Sequence, residues 1–556
     1  MWSSDTSANG LWQGLLGQSR PRTHSLMAWE NERYVRTPWA EVAQRARHMT
    51  AGLRRRGVAP GTRVASVLTN NSDVVSGVLG IWLAGGALAS LPVPSRGMGS
   101  EEYLASLGGM CEQLDPQLVV LDAGLLTTLP DWFLARHQIC SWQDLIGSGV
   151  VDECPPGDAD VAFIQYSSGS TGVPKGCVLT AGAIARHIDM LLSWIGVRFG
   201  GDVVSSWLPL SHDMGMFGTL LSSWQSDNDL YLSTPERFSM SPRTWFGDIA
   251  EYGGTITAGT NTGVYLSARG FRRGARPRAA IDMRTCIIGA ERIEWQTLEF
   301  ATEVLGEFGL TPRMFMPAYG MAEATLAVTA ARPDETPRRM TVDAVELARG
   351  ELRLVDGDHE SATSIVSAGR PLHGVSVGVS GADQIGRIRI QSPSLGSGYW
   401  NSPELTDAHF RDGELLTNDL GFVVEDNLYL VGRSDDMINV AGRKVYARGV
   451  EEAIEQVEGV RRGCSTLVER TIGDRATLTL LLELDSGTNG HRQIADQAAS
   501  AAMAKAAVAV DECMFLARGA LPKTPSGKIQ RYRCRQLLEG GELDPWAVVS
   551  MSEGGL

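Results

Sequence analysis

From Thr37-Pro38 onward the chain sets Ala40, Val42, Ala43, Ala46 and Leu53 at helical spacing, with proline in the first turn and Gly57 as the stop. That pattern predicts an amphipathic helix. Pro60-Gly61 turns the chain into an apolar run, Arg63 to Leu68, predicted as a strand, and a helix follows over Val74 to Ala84. Val74 to Ser95 carries no charged residue and has the length of a membrane span, yet Gly77, Gly80, Gly85-Gly86 and Pro92 interrupt it. A buried helix ending near Ala84 and a strand at Ala87 to Leu91 account for it better. Further strands are predicted at Gln117 to Leu121, Val161 to Gln165 and Val203 to Leu208, alternating with helical patterns. The alternation predicts an α/β fold: a large N-terminal unit of several subdomains built on mostly parallel sheets.

Past residue 330 the pattern changes. Ala331 to Ser364 is polar, with short apolar runs such as Val342, Val345 and Leu347, and strands are predicted at Val375 to Val379, Arg387 to Gln391 and Phe422 to Leu430. The last stretch reads as a small α+β unit, with strands at Thr477 to Leu484 and Glu512 to Leu516 and an alanine-rich helix near Ile494 to Val508. The boundary is placed at the turn Gly432-Arg433-Ser434-Asp435-Asp436, giving an N-terminal domain of residues 1–433, with a distinct region at 331–367, and a C-terminal domain of residues 434–556. No internal repeat is evident.

A chain of 556 residues, 43% hydrophobic, has room for two or more domains with large cores. A net charge of −14 argues against a nucleic-acid binder or an anionic-membrane binder. The one basic cluster, Arg269, Arg272, Arg273, Arg276 and Arg278, is broken by Gly and Pro and reads as a solvated loop, with a partner-docking patch as the alternative. Eight scattered cysteines without a CxxC pair, and an N-terminus without a signal-peptide pattern, point to reduced thiols in the cytoplasm. Lysine is scarce: of 50 basic residues five are lysine, and Lys175, Lys444, Lys523 and Lys528 fall in three short motif-like segments, leaving Lys505 without a role. Where arginine is accepted elsewhere, a retained lysine implies a need for a compact point charge.

The strongest motif is Tyr166-Ser167-Ser168-Gly169-Ser170-Thr171-Gly172-Val173-Pro174-Lys175-Gly176, after an apolar strand and before a helical stretch. Small hydroxyl residues and glycines let backbone N–H groups approach an anion, and Lys175 adds charge. The spacing is not that of a GxxxxGK[ST] loop.

This segment resembles the phosphate-binding loop of the superfamily of acyl-CoA synthetases, nonribosomal adenylation domains and luciferases, which activate carboxylates with ATP. The resemblance extends in order along nearly the whole chain. Tyr319-Gly320-Met321-Ala322-Glu323 is similar to the segment that sets an aromatic residue against adenine and a carboxylate, here Glu323, on Mg²⁺. In Thr417-Asn418-Asp419 the resemblance implies that Asp419 holds the ribose hydroxyls, and in the 432–436 turn that Arg433 lies near the nucleotide and Asp435 is the hinge of a mobile C-terminal domain. Pro522-Lys523-Thr524-Pro525-Ser526-Gly527-Lys528 resembles the loop carrying the lysine of the adenylating step. A carboxylate attacking the α-phosphate brings two anions together, which is why the chemistry needs these cations.

Three segments resemble the fatty acyl-AMP ligase branch, which loads acyl carrier proteins: Trp207 to Gly215 with His212, Gly289-Ala290-Glu291, and Pro317 to Leu326. The extended region after Thr329 is similar to the insertion of that branch. By this resemblance the cofactors are ATP and Mg²⁺ and the substrate is a carboxylic acid. The partner is an acyl carrier protein in trans, since no carrier site follows residue 528, and neither nucleic acid nor membrane insertion is involved. His212 is a catalytic candidate that orients the acyl group or is a structural histidine, Glu291 shapes a turn near the nucleotide, and Met216, Phe217, Val264 and Tyr265 are candidates for the acyl pocket. Asn418 stands where glycine is usual and Arg387 where glutamate is usual. Ser95 to Met110 departs from the family pattern, leaving a short, branched or functionalised acid open. An acyl-CoA ligase, an amino-acid or aryl-acid adenylation enzyme and a non-catalytic nucleotide-binding scaffold are the competing readings.

Overall fold

Two mostly parallel sheets organise the N-terminal part of the computed structural model. It describes residues 5–551 apart from 94–98, 148, 150, 168–174, 273, 349, 382–383, 435, 441–442, 473–474, 486, 489, 507 and 524–528, with backbone alone at 167, 348, 439–440, 443–444, 471–472 and 475–476.

The first sheet has six strands in the order Ile139–Ser141, Leu118–Leu121, Arg63–Val67, Ala87–Leu91, Val161–Ser167, Lys175–Thr180. All its pairings are parallel except the last. The second has nine strands, with the parallel run Phe315–Gly320, Thr285–Ile288, Ile256–Gly259, Val203–Ser206, Asp229–Leu232, Ser25–Glu30 at its centre and antiparallel strands at both edges. Strands buried on both faces run nearly continuously apolar, as Ala87–Leu91 does apart from Ser90, whose hydroxyl donates to the Ser211 carbonyl at 3.2 Å. One continuous core links the two sheets through the helices Trp39–Arg55, Ser72–Leu83 and Ala181–Ile195. The Ser72–Leu83 helix starts where the Asn71 side chain accepts the Val74 N–H at 2.9 Å. Among the described residues no helix is long and apolar enough to cross a membrane.

Three local expectations need correction. Lys175 does not lead into a helix: the strand Lys175–Thr180 comes first, antiparallel to Val161–Ser167. Phe422 to Leu430 is not one strand but a hairpin, Glu414–Val424 and Asn427–Arg433, turning at Glu425-Asp426 with φ of 49° and 61°. Such two-residue turns favour glycine or asparagine, so Glu-Asp hid this one inside a continuous strand pattern. Arg269 and Arg272 belong to the helix Asn261–Arg272 rather than to a loop, the backbone carrying Gly270 without a break. The poorly matching Ser95 to Met110 contains the start of a helix, Ser100–Leu114.

The C-terminal part has its own four-stranded sheet, ordered Val460–Ile472, Arg475–Leu484, Glu512–Leu516, Pro545–Ser550, and its own apolar clusters. Its first and last strands have no counterpart in the sequence pattern: the first carries Arg461, Arg462, Glu469 and Arg470, and the last leaves Trp546 and Val548 about half exposed. Within the extended region, Arg339–Asp343 pairs with Ala362–Val366, and Val342 and Leu347 pack against Phe422, Tyr429 and Val431. The helix Ala344–Ala348 between those strands lies against the C-terminal helix His491–Ala506.

Charged groups join the two parts just beyond the 289–291 turn. Arg292 pairs with Glu452 at 3.1 Å, and Arg448 lies 4.0 Å from Glu294 and 3.4 Å from Glu452. Burial, then the charge of Glu452, pushes the Glu294 carboxyl from 4.5 up to about 6. Because the folded value is the higher one, the stability it contributes is complete below pH 4.5 and is lost as pH rises through about 6. Glu294→Gln is therefore expected to be more stable than the parent by about 1–2 kcal/mol near pH 8 and to match it near pH 4. A pH series of thermal melts checks this; an offset independent of pH would refute it.

Candidate active site

The carboxyl ends of the parallel strands in the nine-stranded sheet converge, the usual ligand position in such sheets. Gly289 follows Thr285–Ile288 and donates its N–H to Gly259 at 3.1 Å, and Ala290 takes a left-handed φ of 67°. Glu291 accepts the N–H and the hydroxyl of Thr262, the latter at 3.1 Å, so it ties its turn to the first turn of the Asn261–Arg272 helix. Gly320 is required by packing: a Cβ there would lie 1.8 Å from the Leu326 carbonyl oxygen, which accepts the Met321 N–H at 2.7 Å.

Tyr319, 7% exposed, donates its hydroxyl to Asp419 Oδ2 at 2.6 Å, and Arg433 Nη1 donates to Asp419 Oδ1 at 3.2 Å. Burial and then the charge of Asp419 hold the Tyr319 phenol well above its ordinary value, so it stays a donor. These two side-chain donors leave the Asp419 carboxylate further lone pairs.

The Glu323 carboxylate is reached from an unexpected quarter. Tyr399 donates its hydroxyl to Glu323 Oε1 at 2.7 Å, and Lys175 Nζ stands 5.9 Å from the Tyr399 ring centre. Burial first, then Glu323, raises the Tyr399 phenol above its ordinary range. Tyr399 arrives because Gly396 to Trp400 zips onto the edge of Lys175–Thr180: Val178 N–H donates to Gly398 at 2.9 Å, Trp400 N–H to Gly176 and Gly396 N–H to Glu323, both at 2.8 Å. Gly398 takes a φ of 131°, closed to side-chain-bearing residues. The spacing Gly396-Ser397-Gly398-Tyr399 was the available sequence signal, small residues permitting close approach.

Lys175 pairs across its hairpin with Ser167, whose side chain is not described. Ser168, Gly169, Ser170, Thr171, Gly172, Asp435 and Lys528 lie outside the described residues. Met321 is half-buried and Ala322 buried beside Glu323, where the Ala322 carbonyl accepts the Cys177 thiol at 3.4 Å.

A family model described as AMP-binding enzyme matches residues 18–400. The chain belongs to that family. The Mycobacterium tuberculosis protein Rv1013 is 30% identical to this AMP-binding enzyme over 92% of the chain and 96% of its own length. The medium-chain-fatty-acid–[acyl-carrier-protein] ligase JamA of Moorena producens is 30% identical over 69% of each. Among solved structures, one from work on fatty acyl-adenylate ligases of E. coli and L. pneumophila superposes with a TM-score of 0.86 at 23% identity, covering 96% of this chain and 98% of that one. The family is enzymatic and adenylate-forming, and ATP is its nucleotide.

In this AMP-binding enzyme the 207–213 loop is hung from buried amides. The Asn70 side chain donates to the Leu208 carbonyl at 2.9 Å and accepts the Leu210 N–H at 3.0 Å, and Gln165 donates to Ser211 at 2.7 Å. His212 is a third exposed; its Nδ1 accepts the Met214 N–H at 3.3 Å and lies 2.6 Å from Asp213 Oδ1, so a neighbouring backbone group holds the ring beside a carboxylate. The following Met214–Leu221 segment is π-helical, a rare form frequent at functional sites. Of the acyl-pocket candidates, Met216 and Phe217 are fully buried in the main core and Val264 in the core beside it, while Tyr265 lies under the guanidinium of Arg462, 4.9 Å away. Their neighbours Gly218 and Thr219, not Met216 or Phe217, line a small cavity against Val204, Ile256 and Ala258.

The remaining lysines of the enzyme divide by environment. Lys523 Nζ donates to the Cys464 thiol at 3.1 Å, and its backbone bridges Ile529, closing the loop that contains Lys528. Burial, then Arg292, lowers the Lys505 ammonium to about 8 at the contact between the two parts. The Lys444 side chain is not described.

Proposed function

We propose that the chain is a stand-alone acyl-AMP ligase. A carboxylic acid, fatty or related, attacks the α-phosphorus of ATP through a carboxylate oxygen, pyrophosphate leaves, and the acyl group passes from acyl-AMP to the phosphopantetheine thiol of a separate acyl carrier protein. In the second step the thiol sulfur attacks the acyl carbonyl and AMP departs.

The observation that carries this reading is a pair of carboxylate centres beside the end of the strand Phe315–Gly320: Asp419 is bound by its Tyr319, and Glu323 follows it closely. Asp419, held by Tyr319 and Arg433, suits a ribose, and Glu323, held by Tyr399 beside Lys175, suits a polyphosphate. Lys175 and the backbone of residues 167–172 hold the phosphates, Lys528 bridges the acid carboxylate and the nucleotide, and His212 orients the acyl end. The fit of Mg²⁺ rests on the donor set: the hydroxyl of Tyr399 occupies Oε1 of Glu323, leaving a hard carboxylate oxygen that suits an ion needing one or two protein carboxylates beside phosphate oxygens. Glu323 would hold Mg²⁺, which neutralises charge on the leaving pyrophosphate.

Transfer to a carrier protein is supported by the likeness to JamA, by its name a carrier-protein ligase. The 434–556 part is the domain that moves between the two steps, with Asp435 as its pivot, and the enzyme acts in the cytoplasm. Pyrophosphate release across a panel of acids, followed by CoA or phosphopantetheinylated carrier protein as acceptor, tests the reading. Acid-dependent release with transfer to the carrier protein is expected. Robust acyl-CoA formation would make it a CoA ligase, and no acid-dependent release a nucleotide-binding scaffold.

A further inference from the structure

The two residues that depart from the family pattern, Arg387 and Asn418, touch each other. The strands Gly386–Gln391 and Glu414–Val424 pair antiparallel, and their register jumps: Arg387 faces Leu420 while Arg389 faces Leu416. Two steps on one strand thus match four on the other, so Thr417, Asn418 and Asp419 form a bulge. A bulge takes backbone groups out of the ladder and re-aims a side chain. Here the Arg387 guanidinium fills the gap: Nε donates to the Thr417 carbonyl at 2.8 Å and Nη2 to Asn418 Oδ1 at 3.0 Å. The Asn418 carbonyl accepts the Ser434 N–H at 2.8 Å and the Ser434 hydroxyl at 3.1 Å, and the Asp419 N–H donates to Thr417 Oγ1 at 3.1 Å. The bulge is pinned on every side, and what it presents to Tyr319 and Arg433 is the Asp419 carboxylate.

We infer that Arg387 is a positioning residue for nucleotide recognition, acting through the 417–419 bulge to aim Asp419 at the ribose; this rests on the reading of Asp419 under Proposed function. Arginine suits the place because its planar fork reaches two acceptors at once, where lysine offers a single point charge. Arg387 itself contacts neither substrate nor reacting atoms.

The test compares ATP with 2′,3′-dideoxy-ATP as substrates for acid-dependent pyrophosphate release, taking the ratio of kcat/KM values as the readout. Asp419→Ala is expected to collapse that preference for ribose hydroxyls. Arg387→Ala is expected to reduce it by about tenfold, the scale of charge-assisted hydrogen bonds, chiefly through KM for ATP with kcat little changed. Arg387→Lys should restore part of it. A generally weakened fold would lower both nucleotides alike and leave the ratio standing. If Arg387→Ala does not fold, Asn418→Ala, which removes one of the two acceptors, decides the matter with an expected loss of about threefold. An unchanged ratio in that deciding variant, with Asp419→Ala collapsing it, overturns the role of Arg387. A ratio that Asp419→Ala leaves intact overturns the ribose assignment and this inference with it.

Discussion

Lys528→Ala is expected to lower acid-dependent pyrophosphate release by at least about 10²-fold, a loss of roughly 3 kcal/mol or more in the adenylating transition state. On the proposed function the reason is electrostatic: acid carboxylate and α-phosphate approach as two anions, and an ammonium placed between them would stabilise the charge that develops. The loop bearing this lysine is closed at its base, where Lys523 bridges Ile529 and the Gln530 N–H donates to the Pro522 carbonyl at 2.9 Å. Transfer from supplied acyl-AMP to a carrier thiol needs no such bridge and should stay within a few-fold of the parent. The two half-reactions are measured separately, by pyrophosphate release and by loading of the carrier protein. Equal loss in both would show that Lys528 serves the fold or the second step rather than adenylation.

The second large effect is expected at Arg531. Its guanidinium donates to Asp436 Oδ1 at 2.5 Å and to both oxygens of Glu451 at 2.7 and 2.9 Å, joining the 432–436 turn to the helix Ala447–Ile454. Glu451 is 2% exposed and also accepts the Leu467 N–H at 2.9 Å. Burial pushes its carboxyl up, but Arg531 and Arg448 together with its hydrogen bonds outweigh this and leave it below 4.5. Removing the nearer arginine strands a buried carboxylate, so Arg531→Ala should destabilise the C-terminal part by about 3 kcal/mol, read by denaturant unfolding. The sign of the pH dependence follows. The folded value of Glu451 is depressed, so its contribution is present above pH 4.5 and lost as pH falls through that lower value. In Arg531→Ala the loss should begin at higher pH. Pairing the change with Glu451→Gln should cost less than the sum of the two single changes; simple additivity would show that the pair does not act as a unit.

These two groups stand differently towards the sequence. The order of motifs singles out Lys528 as a candidate, whereas the partners of Arg531 lie 95 and 80 positions away and no local pattern announces them. The same contrast runs through the site. Tyr319, Glu323 and Asp419 sit in segments with recognisable composition, but Tyr399 joins Glu323 across 76 positions, only because residues 396–400 cross the edge of Lys175–Thr180. Arg387 was visible as a departure without a consequence, since its meaning lies in a bulge on a neighbouring strand.

By itself the sequence determined the alternation of elements, with Ala87–Leu91 and Glu512–Leu516 matching their predicted bounds. That follows from short-range physics: glycine and proline end apolar runs, and the spacing of apolar positions sets the period of each element. The hairpin inside Phe422 to Leu430, the strand after the phosphate loop and the partners of Glu323, Asp419 and Glu451 were decided by the tertiary structure alone. Hydrogen bonds between distant strands, and the pairing of charges that burial forces together, depend on which surfaces meet, and no local window of sequence contains that.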